Sequence, residues 1–120
     1  MRMSIERSEK DTFVYFTYAR QGYKDVELFK SSMTAELSNR ESTKDIILDF
    51  GPTRYLTSPE IGTLVRLANN LKGSPRIVRV IPGDELYKQI SSINLTNLEH
   101  LIVYKNRQDF TDQLKGAQQG

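Results

Sequence analysis

The chain has no cysteine and no tryptophan, and its one histidine is His100. Without cysteine there is no disulfide framework, no thiolate nucleophile and no thiolate metal ligand, and a single histidine excludes a His-rich metal centre. Carboxylate-only cation sites have no loop signature here. Long apolar runs are also missing: none approaches the roughly 20 residues that span a bilayer. Met1 to Lys10 is too charged for a signal peptide. These absences point to a cytoplasmic chain with no membrane insertion.

Glycine is sparse and scattered. Gly51, Gly62, Gly73 and Gly83 stand singly, each explained by a turn or a helix end, so there is no Gly-rich phosphate loop and no cofactor signature. Ser58, His100 and Asp49 are the residue types of a hydrolytic triad, but no Gly-x-Ser-x-Gly elbow accompanies them. The expectation is that the protein is not an enzyme. Net charge is nearly absent too, since 17 basic and 15 acidic residues leave +2. That balance reads as a solvated surface, not a nucleic-acid footprint. Arg76 and Arg79, with Lys72 the nearest thing to a basic stripe, fall on opposite faces of a strand.

What is present suffices for one domain over 120 residues. Met3 to Ser8 alternates weakly and Thr12 to Ala19 strongly, and the polar turn Glu9-Lys10-Asp11 between them predicts an antiparallel hairpin. Phe13, Tyr15 and Thr17 face one way, and Val14, Phe16 and Tyr18 the other. Aromatics on both faces predict a strand covered on each side, with Tyr15, Phe16 and Tyr18 in the core. Val26, Phe29, Met33 and Leu37 step by three and four, which predicts a helix over about Asp25 to Asn39. Asp45 to Phe50 is a short apolar run rich in β-branched residues, the signature of a buried strand. Ile61, Leu64, Val65, Ala68 and Leu71 give the next helix its apolar stripe. Gly73 and Pro75 stop that helix, and Arg76 to Ile81 is a strand. Pro82-Gly83-Asp84 opens a third helix carrying Leu86, Ile90 and Ile93. Asn94 to Asn97 breaks it before a short strand, Leu101 to Tyr104, and a last helix over about Arg107 to Leu114 buries Phe110 and Leu114. The expected architecture is α/β: a mixed, mostly parallel sheet of four to five strands with about four helices. Residues 1–114 form the domain and 115–120 a flexible polar tail.

The junction from Asp49 to Gly62 is the expected functional segment. Ser58 followed by Pro59 reads as a helix start, with the Ser oxygen accepting orphan amides and Pro at the first helical position. Asp49, at a strand end, is either a ligand-facing carboxylate or a cap on the next loop. His100 reads as a surface or packing histidine.

This order of elements, together with Asp49-Phe50-Gly51-Pro52-Thr53-Arg54-Tyr55-Leu56-Thr57-Ser58-Pro59-Glu60-Ile61-Gly62, resembles the STAS domain of bacterial anti-sigma-factor antagonists, stressosome components and sulfate transporters. The family motif, roughly Asp-Leu-Ser-x-Val-x-Phe-Ile-Asp-Ser-Ser-Gly-Leu-Gly, lies on this segment without a gap. Asp49, Tyr55, Leu56, Ser58, Ile61 and Gly62 match in identity or type. The later run Ile77 to Pro82 through Leu86, Ile90, Leu95 and Leu98 follows the family more loosely. In phosphorylated members the Asp-Ser-Ser triplet carries an acidic residue and, at its second Ser, the acceptor of an anti-sigma-factor kinase. Here the triplet is Thr57-Ser58-Pro59, so the acceptor-equivalent position is Pro59, and Glu60 replaces the following glycine.

The resemblance implies a protein-interaction module of transcription regulation, docking on an anti-sigma factor or another regulatory protein through Arg54, Thr57, Ser58, Glu60 and Thr63. It is not expected to be phosphorylated at the usual position, and Ser58 or Thr57 is the shifted acceptor if one exists. Arg54, Thr57, Glu60 and Thr63 are expected to be exposed around the helix N-terminus. Glu60 reads as favourable first-turn helix chemistry, or more sharply as a partial mimic of a modified state. The alternatives are an adaptor subunit of a larger complex, stressosome-like or transporter-associated, and a small-ligand sensor using the aromatic face of Thr12 to Tyr18. Self-association is left open.

Overall fold

The computed structural model describes residues 4–10 and 12–119, with the backbone alone at 115–119. Met3 and Asp11, which the sequence places in the first strand and its turn, lie outside the described residues. So do Gly120 and the side chains of the expected tail.

The hairpin forms as the alternation predicts. Strand β1 (Ile5–Glu9) pairs antiparallel with β2 (Phe13–Tyr18), Ile5 opposite Tyr18 and Glu9 opposite Val14. The chain then alternates helix and strand: α1 (Tyr23–Leu37), β3 (Asp45–Asp49), α2 (Ser58–Asn70), β4 (Val78–Ile81), α3 (Asp84–Ser92), a 3-10 turn at Leu95–Asn97, β5 (Leu101–Val103) and α4 (Arg107–Gln119). Strands β2 to β5 are parallel, and the spatial order β1-β2-β3-β4-β5 follows the sequence. The mixed, mostly parallel α/β sheet is the expected one. Because the order never reverses among these strands, the sheet has no switch point of the kind that opens a cofactor crevice in doubly wound folds.

Both faces of the sheet are covered, unequally. Val14, Phe16, Tyr18, Ile46, Leu48, Val78 and Val80 pack against Phe29 and Met33 of α1, Leu64 and Leu67 of α2, and Leu86 and Ile90 of α3. Tyr18 stacks on Phe29 at 4.7 Å and meets the edge of Phe50 at 5.9 Å. Full burial of side chains this size stabilises the fold by about 1.5–3 kcal/mol each. On the second face, Phe110 and Leu114 of α4 close over Phe13, Tyr15, Ile47, Ile81 and Tyr104. The two aromatic faces of β2 therefore serve two separate cores.

Element ends differ from the sequence reading for identifiable reasons. Helix α1 starts at Tyr23, two residues early, because Asp25 caps it from the third position, accepting from the amides of Gln21 (2.5 Å) and Gly22 (3.0 Å). Its buried row is Val26, Phe29, Met33 and Glu36; Leu37 is only half-buried. Glu36 takes the core position because Arg76, itself buried, meets it at 2.8 Å, and Arg7 reaches its other oxygen at 3.1 Å. Strand β4 begins at Val78, since the Arg76 and Ile77 amides donate to the Ser74 hydroxyl and the Asp45 carboxylate, both at 3.1 Å. The backbone of α4 stays helical to Gln119, five residues past the expected end.

Candidate functional site

The C-terminal ends of the parallel strands gather four loops, of which the β3–α2 junction is the longest. Asp49 ends β3 and is 3% exposed. One carboxylate oxygen accepts from the Gly51 amide at 3.0 Å, and the other from the Tyr15 hydroxyl and the Arg107 guanidinium. Of the two sequence readings, the cap on the following loop is the one observed. Burial, and then the hydrogen bond to Asp49, push the Tyr15 phenol above its ordinary range. Gly51 turns the chain at φ +51°, a left-handed geometry that favours glycine. Its carbonyl lies where a Cβ on Gly83 would meet it at 3.7 Å, so the β3–α2 and β4–α3 loops touch.

The far half of the junction is held by two grips. The side-chain amide of Gln89 on α3 pairs with Leu56 as a strand would, accepting from its N–H at 2.7 Å and donating to its carbonyl at 2.9 Å. Leu56 is thereby buried, and Tyr55 beside it is turned outward.

The second grip is Glu60, and it corrects the sequence reading. Glu60 is not on the surface but 0% exposed. Its Oε1 accepts from the Thr57 amide at 2.7 Å, from the Thr57 hydroxyl at 2.8 Å and from Arg20, while Oε2 accepts from the Tyr18 hydroxyl at 2.5 Å. Burial, then that hydrogen bond, push the Tyr18 phenol far upward. A carboxylate enclosed by a guanidinium and three hydrogen-bond donors presents no negative charge to a partner, so Glu60 does not mimic a modified state. Thr63 is likewise buried, its hydroxyl donating to the Pro59 carbonyl at 2.8 Å. Two of the four residues expected to be exposed are therefore interior. The helix cap is also displaced by one residue: Thr57 is the N-cap, with Ser58 and Pro59 the first two helical residues.

What remains outside is well defined. Arg54, Tyr55, Ser58, Pro59 and Gly62 are exposed and Thr57 is half-buried. Tyr55 is 58% exposed, yet the Arg20 guanidinium lies 4.6 Å from its ring centroid. Arg20 joins the buried Glu60 to the exposed Tyr55, which fixes an aromatic ring at the surface. Within residues 50–70 the exposed charges are Arg54 and Arg66. Arg54 sits 3.8 Å from Glu85, an exposed and weak pair. The Ser58-Pro59-Gly62-Arg66 row is thus neutral to cationic, and a Cβ on Gly62 would meet nothing within 4 Å.

Four features of the site go beyond what the sequence pattern points to: Arg20, Tyr18, Gln89 and the outward role of Tyr55. Thr57-x-x-Glu60 is a capping-box pattern and signals both the true cap and an engaged Glu60. Nothing local signals Arg20 or Gln89. His100 lies before β5, at the other end of the sheet, in the left-handed region (φ +63°), with Nδ1 3.1 Å from the Arg76 carbonyl. It is a packing histidine, and the structure does not assemble a triad from Ser58, His100 and Asp49. The faces of β2 that a small-ligand sensor would use are filled by Phe29 on one side and by Phe110 and Leu114 on the other. Among the described residues no group of three or more His, Asp or Glu could hold a metal, and no helix is long and apolar enough to cross a membrane.

No family model matches the chain, and no curated protein matches it. Solved structures do. A crystal structure described as a "putative anti-sigma factor antagonist" from Thermotoga maritima superposes with TM-score 0.72 at 17% identity, covering 92% of this chain and 94% of that one. The NMR structure of that protein, TM1081, gives TM-score 0.69 at 16% identity over 96% of this chain and 90% of that one. Over 92% of its length the chain shares the fold of that protein, as the sequence resemblance leads one to expect.

Proposed function

We propose that the protein is a non-enzymatic regulatory module of the anti-sigma-factor-antagonist type, docking on a protein partner through Arg54, Tyr55, Thr57, Ser58, Pro59 and Gly62. One observation carries this reading: Tyr55 is solvent-exposed yet held by Arg20, which is anchored on buried Glu60. A preorganised aromatic ring loses little freedom on binding, and Tyr and Arg are the residue types that dominate interface energetics. Arg54, next to it in the chain, and Arg66, about two turns into α2, favour an acidic partner surface. The fold shared with an antagonist-like protein agrees with this role.

The module is not switched at the family's acceptor position. Pro59 has no hydroxyl, and a kinase-type anti-sigma factor with ATP leaves the wild-type chain unmodified. Pro59→Ser restores the hydroxyl in the first helical turn, where Ser is tolerated at small cost. Since Glu60 is interior, it does not obstruct approach, and the single substitution suffices. Mass spectrometry after incubation with the kinase tests the reading: phosphate appears on Pro59→Ser and not on the wild type. Phosphate on wild-type Ser58 or Thr57 at high stoichiometry replaces this reading with a shifted acceptor. No phosphate on either protein places the module outside the circuit and favours the adaptor role.

A further inference from the structure

The two oxygens of Asp49 look in opposite directions along the chain. Oδ1 holds the Gly51 amide at 3.0 Å, at the entrance of the docking junction. Oδ2 is held by Tyr15 and by Arg107, the first residue of α4, and a second nitrogen of Arg107 donates to the Tyr15 hydroxyl at 3.0 Å. The side chain of Asp49 is 3% exposed while that of Arg107 is 61% exposed. Release of Arg107 therefore leaves a buried carboxylate without its cation, whereas Arg107 itself has water to go to. Beside the pair lies an open cavity of about 420 Å³ lined by Thr17, Gln21, Gly51, Pro52 and Arg107 among others, so the guanidinium has room to swing away. Among the described side chains, Phe110, edge-on to Tyr104 at 5.1 Å, and Leu114 also fasten α4.

We propose that α4 is a latch on the docking junction, with Arg107 the positioning residue that acts through Asp49 on the Gly51 turn. When α4 is seated, Arg107 neutralises Asp49 and the carboxylate is free to fix Gly51. When α4 lifts, Asp49 loses its counter-charge and keeps only the Tyr15 hydroxyl of β2 on that oxygen, and the Gly51–Thr53 turn loosens. The downstream half of the junction, pinned by Gln89 at Leu56, does not. The second face of the sheet is thereby connected to the docking surface through a single side chain. The proposal takes the junction as the docking surface argued above, but its test needs no partner, so the two fail separately.

Amide hydrogen exchange followed residue by residue on the full chain tests it, comparing wild type with Arg107→Ala, Arg107→Lys and Phe110→Ala. In Arg107→Ala the Gly51 amide exchanges about tenfold faster, the factor that loss of one charge-assisted hydrogen bond corresponds to. The Leu56 amide, bonded to Gln89, stays within about twofold. Arg107→Lys keeps the charge but lacks the planar fork whose two nitrogens reach Tyr15 and Asp49, and gives a smaller rise of about threefold. Phe110→Ala, which frees α4 without touching Asp49, also accelerates Gly51. If Arg107→Ala does not fold, Arg107→Lys decides by the same readout. Gly51 exchange unchanged in every folded variant, or rising equally with that of Leu56, overturns the latch.

Discussion

Two acidic side chains are enclosed at opposite ends of the sheet, and they are built to different purposes. Glu36, at the N-terminal ends of the parallel strands, is met by Arg76 at 2.8 Å and by Arg7 at 3.1 Å, and Arg76 spends its remaining donors on the Glu36 and Lys44 carbonyls. There the contacts run on through Arg7 only to the exposed Glu9 at 3.6 Å, and end in a solvated ion pair. Glu60, at the C-terminal ends, is met by Arg20, and Arg20 reaches past it to the ring of an exposed Tyr55. The same chemistry is a strut at one end and a pedestal at the other. Burial of a charge does not by itself mark function; the group it supports at the surface does.

The widest gap between the ends should appear in stability. Removing Glu36 leaves Arg76 buried and uncompensated, and Glu36→Ala should cost about 3–5 kcal/mol in urea unfolding. The folded fraction should still present an unaltered junction. Glu60→Gln keeps the shape but weakens the charge-assisted bonds to Arg20 and Tyr18, and should cost about 2 kcal/mol. Unlike Glu36→Ala, it should also free the Tyr55 ring, seen as loss of its ordered contacts with Arg20 by NMR. Should both substitutions leave Tyr55 equally ordered, the distinction between strut and pedestal is gone. Tyr55→Ala sharpens the comparison from the surface side. It should leave unfolding free energy within about 0.5 kcal/mol of wild type and weaken partner binding by about 2 kcal/mol by calorimetry.

Alkaline and acid titrations probe the Glu60 end of the sheet at smaller amplitude. The Tyr18 phenol bound to Glu60 is raised above its ordinary value of 10.0 by burial first and by that carboxylate second. Its contribution is therefore complete below pH 10 and is lost as the pH rises through the folded-state value. Phenolate absorbance from Tyr18 should appear together with loss of the far-ultraviolet helix signal, and Tyr18→Phe should abolish that component. Asp25, capping α1, is held below its ordinary 3.8 chiefly by the Gln21 amide. Its contribution is present above that value and fades as the pH falls below it. Being exposed, it should shift the acid unfolding midpoint of Asp25→Asn only slightly.

The fold was legible because its signals are local. Alternation in Phe13 to Tyr18, the three-and-four spacing of Val26, Phe29 and Met33, and the apolar run Ile46 to Leu48 each specify an element without reference to any other. The site was legible in position and not in polarity. First-turn acids of helices are ordinarily exposed, and what draws Glu60 inward is Arg20 and Tyr18, some forty residues earlier in the chain. Thr57 and Ser58 are both good capping residues, and only the reciprocal bond from Glu60 selects Thr57. Leu37 stands in the expected apolar row of α1 in place of Glu36 for the same reason: helical spacing favours it, and the arginine that reverses the choice comes from the segment before β4.

On this reading the partner meets the exposed half of the β3–α2 junction. A residue-resolved NMR titration of the labelled chain with the kinase-type anti-sigma factors of its own genome tests it most directly. Shifts should concentrate at Arg54, Tyr55, Ser58, Gly62 and Arg66, be abolished by Tyr55→Ala and be weakened by salt. Shifts confined to the α4 face, or binding that Tyr55→Ala leaves intact, would contradict it.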